Sequence, residues 1–139
     1  MGETVLSSDI DLDLLPESLK EALKIREHRE DRKNKCMHIV LETTPQLFNS
    51  HGNIHGSYIA MLTLTAAENA AKLTIEDDEF LVAISHSINF LKQPEVLGDI
   101  ELESCITSRS DRIVHVNTFL RCLDTDIASS TTIFVIEKI

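Results

Sequence analysis

The chain has 139 residues, 42% of them hydrophobic, and a formal net charge of −10. That length suits one domain with a real core. The charge excludes a basic nucleic-acid groove and docking on anionic lipid, so an anionic ligand would need backbone N–H groups and a few local Lys or Arg side chains.

Residues 1–14 are acidic and expected to fray. The start "MGETVLSSDIDLDLLPESLK" has neither the basic nor the apolar region of a signal peptide. Val5-Leu6 continues poorly as a myristoylation signal, and no apolar run approaches the length of a membrane span. From Leu15, "LPESLKEALKIREHREDRKNK" reads as a helix. Pro16 suits its first turn, Glu17 favours the N-terminal dipole, and Leu19, Leu23 and Ala22 make a narrow apolar stripe. After Ile25 the alternating charges are expected to form a solvated helix end. Residues 1–35 thus form an acidic extension plus charged helix, and residues 36–139 the main domain.

Cys36 to Thr44 alternates as a first strand and Pro45 ends it. Phe48 to Ile54 carries turn chemistry. Gly56 to about Leu73 reads as one helix whose apolar residues nearly encircle it, the pattern of a helix buried on most sides. "IEDDE" is a turn. Four strands follow, Phe80 to Leu91, Asp99 to Ser108, Arg112 to Leu123 and Ile127 to Ile136, separated by "KQPEVLGD", "SRSD" and "LDTD". The short connections imply antiparallel hairpins. The fold class is α+β: one antiparallel sheet that must curl around the long helix, with free edges that a second subunit would protect. A homodimer is the natural expectation. Cys36, Cys105 and Cys122 show no ligand spacing and read as reduced, small apolar residues, which points to a reducing cytoplasm.

The segment Asn49 to Gly56, "NSHGNIHG", feeds the helix start. Free N–H groups there form a ready anion or oxyanion site. Gly56 lets a carbonyl approach closely, and Asn49 or His55 can add a side-chain donor. Equally, Asn53 or Ser57 can cap the helix while the glycines serve the turn and the histidines fill space.

Asn49, then "GNIHGS" from Gly52, the long helix, "INFLKQPEVLGD" from Ile88 and two closing hairpin strands follow one another over roughly residues 36–139. In order and spacing this resembles the hotdog-fold acyl-CoA thioesterases, in particular the phenylacetate-pathway and human thioesterase-superfamily type. The resemblance implies a curved antiparallel sheet wrapped around a central helix, a homodimer or dimer of dimers, and coenzyme A or acyl-CoA as ligand, with no metal and no further cofactor. It makes Gly56 the residue whose N–H polarises the thioester carbonyl, Asn49 its assistant, and His55 the histidine at the helix start. It implies that the family's catalytic carboxylate, nine residues after the histidine, is replaced here by Leu64. Ser57 replaces a second glycine, and "FLKQP" is one residue longer than usual.

Glu68 lies one turn beyond Leu64 and is the only carboxylate between Ser57 and Lys72. It is a relocated catalytic acid, or it is paired at an interface or solvated seam. Thr63 and Thr65 flank Leu64 and could orient a water. Ser85, Ser87 and Asn89 alternate onto one face of the next strand, opposite Ile84, His86 and Ile88. The resemblance makes Ser85 and Ser87 candidates for water positioning, and a solvent-facing sheet surface explains them as well. His86 and His115 have no metal-ligand spacing. Lys92, Arg109 and Arg112 near strand ends could meet CoA phosphates, or be plain surface. Three functions follow: an acyl-CoA-binding protein with weak or lost hydrolysis; an active thioesterase using Glu68 or a Ser/Thr-held water; or a regulatory, interacting protein, since a degenerate site of this kind is also similar to flagellum-co-regulated hotdog virulence factors.

Overall fold

The computed structural model describes residues 3–5 (main chain), 10–92 and 98–139. The elements in chain order are β1 (Glu3–Val5), α1 (Glu17–Ala22), β2 (Lys24–Asp31), β3 (Cys36–Glu42), α2 (Gly56–Ala71), β4 (Glu79–Phe90), β5 (Ile100–Arg109), β6 (Ile113–Cys122) and β7 (Thr125–Lys138). Seven strands form one curved antiparallel sheet in the order β1-β2-β3-β5-β6-β7-β4, with α2 packed across one face. Among the described residues no helix is long and apolar enough to cross a membrane.

Register assigns the two faces. Met37, Ser104, Thr118, Ser130 and Ile88 lie in one cross-strand row toward α2, and Ile39, Leu102, Leu120 and Ala128 in the next. All but Ile88 are buried. Small residues on α2 let it sit close to this face: Ala66, Ala67, Ala70 and Ala71 are at most 1% exposed. The opposite side of α2 is not covered. Ser57, Ala60, Met61, Leu64 and Glu68 form a partly open stripe, so the encircling apolar pattern overstated the burial of this helix within one chain.

The charged segment after Ala22 is a strand, not a helix end. Lys24–Asp31 hydrogen-bonds to β3 from Lys24↔Glu42 to Asp31↔Cys36. A bulge between Ile25 and Glu27 breaks its alternation, and Ile25 and His28 are its side chains that pack toward the core. Its charges are cross-strand partners instead: Lys24 and Arg26 each pair with Glu42, and Arg26 also with Asp99. Lys35, at φ 57°, closes the hairpin between β2 and β3.

Residues 10–14 dock rather than fray. Asp11 N–H donates to Asn69 Oδ1 (3.0 Å), and Asn69 Nδ2 donates back to Asp11 O (3.0 Å). Ile10, Leu15 and Leu19 are buried beneath. The four later strands fall within a few residues of expectation. Gln93 to Leu97, expected as a connection, lie outside the described residues.

The cysteines depart from expectation. Cys36 and Cys105 stand directly opposite on β3 and β5 and are joined in a disulfide. The two positions are 69 apart in sequence, and only the strand register brings them together. Cys122 is outside the disulfide, buried at the far end of the inner face, where burial raises its thiol pKa. The argument for a reducing compartment from three unpaired cysteines therefore fails.

Candidate active site

The segment before α2 is a self-bonded loop. Asn49 N–H donates to Asn53 O (2.7 Å), Gly52 N–H to Asn49 O (3.0 Å), and Gly52 supplies the left-handed φ of 81°. The Asn49 carboxamide is part of the same lock. Its Oδ1 accepts from the N–H groups of His51 (2.9 Å) and Asn53 (3.2 Å). That leaves Nδ2 as its remaining donor.

Asn49, Asn53, Ile54, Gly56, Ile59, Phe90 and Lys92 line one cavity of about 250 Å³. The intrahelical bonds of α2 begin with Tyr58 and Ile59 donating to His55 O, so the Gly56 and Ser57 N–H groups have no backbone acceptor among the described residues. The Phe90 ring closes over Gly56: a Cβ built there would meet it at 3.6 Å. A methyl would fit only by narrowing the space a ligand oxygen needs. His55 caps the helix and meets Tyr58 edge-on at 5.0 Å between ring centres, on the exposed side. Lys92 is exposed at the rim, its N–H donating to Ile127 O (3.1 Å).

The other sequence-derived residues lie elsewhere. Leu64 sits two turns along α2 on its open stripe, and Thr65 is buried under the docked N-terminal segment, beside Leu12 and Leu15. Glu68 is a turn further on, about 18 Å along the axis from Gly56. Its Oε1 is 3.6 Å from Lys72 Nζ, and the same ammonium pairs with Asp11. Ser85, Ser87 and Asn89 lie opposite Ile133, Thr131 and Ser129, on the sheet face turned away from α2. Arg109 caps the far end of the helix through Thr74 Oγ1 (3.2 Å) and Thr74 O (3.3 Å), and Arg112 pairs with Glu137 (3.0 Å). Of the three cations singled out, the cavity holds Lys92.

Two residues on the helix-facing side of β4 escaped the sequence reading. They are Phe90, which walls the cavity, and His86, which bonds to Thr63 of α2 and Thr132 of β7. Their alternation with the serines was visible, but nothing in it said which face turns inward.

Glu68 is half-buried, and burial raises its pKa, offset in part by Lys72 and reinforced by Asp11. A carboxyl group with its folded pKa above its unfolded one costs stability while charged. The cost is complete above the folded pKa and is relieved as pH falls through it. Glu68→Gln is therefore expected to melt at or above the wild-type temperature at neutral pH. Lys72→Met, which leaves Asp11 and Glu68 facing each other, is expected to melt lower. Thermal unfolding of the two variants checks both signs.

No protein-family profile and no curated protein matches the sequence. Solved structures do match. A thioesterase of Haemophilus influenzae superposes with a TM-score of 0.79 at 14% identity, covering 98% of this chain and 93% of that one. The phenylacetic acid degradation-related protein of Ralstonia eutropha gives 0.75 at 16% identity, over 87% and 90% of the two chains. A Streptococcus pneumoniae thioesterase protein solved with coenzyme A gives 0.69 at 14% identity, over 85% and 88%. The chain has the hotdog fold. In a hotdog chain the element order explains the site: the loop before the central helix and the end of β4 converge on the helix's first turn.

Proposed function

We propose that this hotdog protein binds acyl-CoA, or a related thioester, at the Asn49–Gly56 cavity and hydrolyses it weakly or not at all. The observation that carries the reading is the orientation of Asn49. With Oδ1 tied to His51 and Asn53, Nδ2 is the donor the Asn49 carboxamide has left, and Asn49 and Gly56 line one cavity. A thioester carbonyl between them would be polarised by donors already in position. Lys92 at the rim suits a phosphate-bearing ligand, and the coenzyme A bound in the pneumococcal neighbour supports the same ligand class.

Weak hydrolysis follows from what the cavity lacks. No carboxylate lines it among the described residues, so nothing there takes a proton from an attacking water. Glu68 is engaged by Lys72, and Ser85 and Ser87 face the other way, so neither supports the reading of an active thioesterase. Isothermal titration with acyl-CoAs of several chain lengths tests the proposal, with binding and near-uncatalysed turnover as the expected pair. No binding up to millimolar ligand would sink it.

The same reading includes a homodimer. β4 is a twelve-residue strand with one free edge. It carries exposed Val82, Ile84 and Phe90, with Val82 opposite Val135 on the outer face and Phe90 opposite Ala128 on the helix-facing side. A long apolar edge left unpaired invites another strand. Val82→Lys combined with Ile84→Lys is expected to convert a dimer into a monomer in light scattering. A wild-type chain that is already monomeric contradicts the assignment.

A further inference from the structure

His86 stands outside the cavity yet ties together the elements that shape it. Its Nε2 is 3.1 Å from Thr63 Oγ1 and its Nδ1 is 2.7 Å from Thr132 Oγ1, and both threonines are fully buried. The Thr63 hydroxyl also reaches Ile59 O (2.8 Å) and Ala60 O (3.1 Å), and with its one hydrogen on either carbonyl it accepts from the ring. Nε2 therefore carries the proton, and Nδ1 accepts from Thr132. This relay is satisfied by a neutral imidazole. Protonation would put a hydrogen on Nδ1 facing the Thr132 hydroxyl, which would have to turn away from it.

Among the described residues no charged side chain faces the ring. α2 presents Thr63 and the Ala60 carbonyl, and β7 presents Thr132. Burial accordingly lowers the pKa of His86. Phe90 lies four residues further along the same face of β4, about 13 Å away. The edge strand is thus pinned at His86 to the third turn of α2, and its C-terminal end walls the cavity over Gly56. β7 supports β4 from one side, so the pin bears directly on where that wall stands.

We propose that His86 is a positioning residue: its neutral imidazole holds β4 against α2, and its protonation releases Phe90 and Lys92 from the first turn of the helix. The proposal rests on the Asn49–Gly56 cavity being the ligand site, and the two can fail separately.

Two measurements on the full chain test it. In the first, the Gly56 and Phe90 amide resonances are followed from about pH 8 to about pH 5, where histidine titrates. Both are expected to show an inflection coinciding with the His86 ring, and to lose it in His86→Gln, whose amide supplies a donor and an acceptor without titrating. In the second, binding is measured for a ketone analogue of butyryl-CoA with methylene in place of sulfur. One pH unit below the His86 midpoint about one molecule in ten stays competent, so affinity should fall about tenfold, with a flat profile in His86→Gln.

Should His86→Gln not fold, Thr132→Val is expected to move the His86, Gly56 and Phe90 midpoints together. An unchanged Gly56 and Phe90 titration in His86→Gln, or midpoints that move independently in Thr132→Val, overturns the proposal. An analogue that never binds, while the inflection still follows His86, overturns the thioester reading and upholds the positioning role.

Discussion

Asn49→Asp is expected to weaken acyl-CoA binding by about 10- to 100-fold and to leave the melting temperature nearly unchanged. The substitution separates the two jobs of the carboxamide. An aspartate oxygen still accepts from the His51 and Asn53 N–H groups, so the loop keeps its lock. What disappears is the Nδ2 donor. In its place stands an acceptor, charged at neutral pH, that would face the thioester oxygen. Asn49→Ala removes both functions and is expected to cost about 1 kcal/mol of stability as well as the affinity. Calorimetric titration and thermal unfolding on the same two proteins decide the matter. If Asn49→Asp binds as wild type does, the residue serves the loop alone and the carbonyl-gripping role is lost.

Reduction of the Cys36–Cys105 disulfide is expected to destabilise the protein by roughly 2–4 kcal/mol, lowering the melting temperature on the order of 10 °C. The cause is the long loop it closes, the two cysteines being 69 positions apart. In the unfolded chain the bond removes loop-closure entropy that the reduced chain recovers. In the folded chain the β3–β5 ladder already holds the two residues opposite each other, so the native structure gains little from it. Cys36→Ser should melt like the reduced protein and be indifferent to reductant. Cys122→Ala should keep the full drop on reduction, because Cys122 is buried on the opposite face at the far end of the sheet. A wild-type melting curve that reductant does not move refutes the stabilising role.

The architecture was largely legible in the chain. Alternation marked β3 to β7 within a few residues, and the Ala-rich run after Gly56 marked α2 as a helix that something must cover. β2 was not legible. Its bulge at Ile25/Glu27 breaks the period of two, and two inward side chains leave no apolar stripe to count. "KIREHRED" becomes a strand because β3 offers it a ladder and its charges find cross-strand partners such as Glu42. Tertiary pairing overrides local pattern in such a segment.

The candidate site divides along the same line. The sequence by itself determined the parts close together in the chain: the turn chemistry of Asn49–Gly56, the start of α2 directly after it, and Leu64 and Glu68 one turn apart on that helix. These depend on turn chemistry and helix spacing, which are local. Tertiary structure alone decided what faces that loop. It put Phe90 and Lys92 over Gly56, sent Glu68 to Lys72 and Asp11, turned Ser85 and Ser87 outward, and brought Cys36 to Cys105. The physical reason is that a strand's alternation fixes which residues share a face, while only its packing neighbours fix which face is inside.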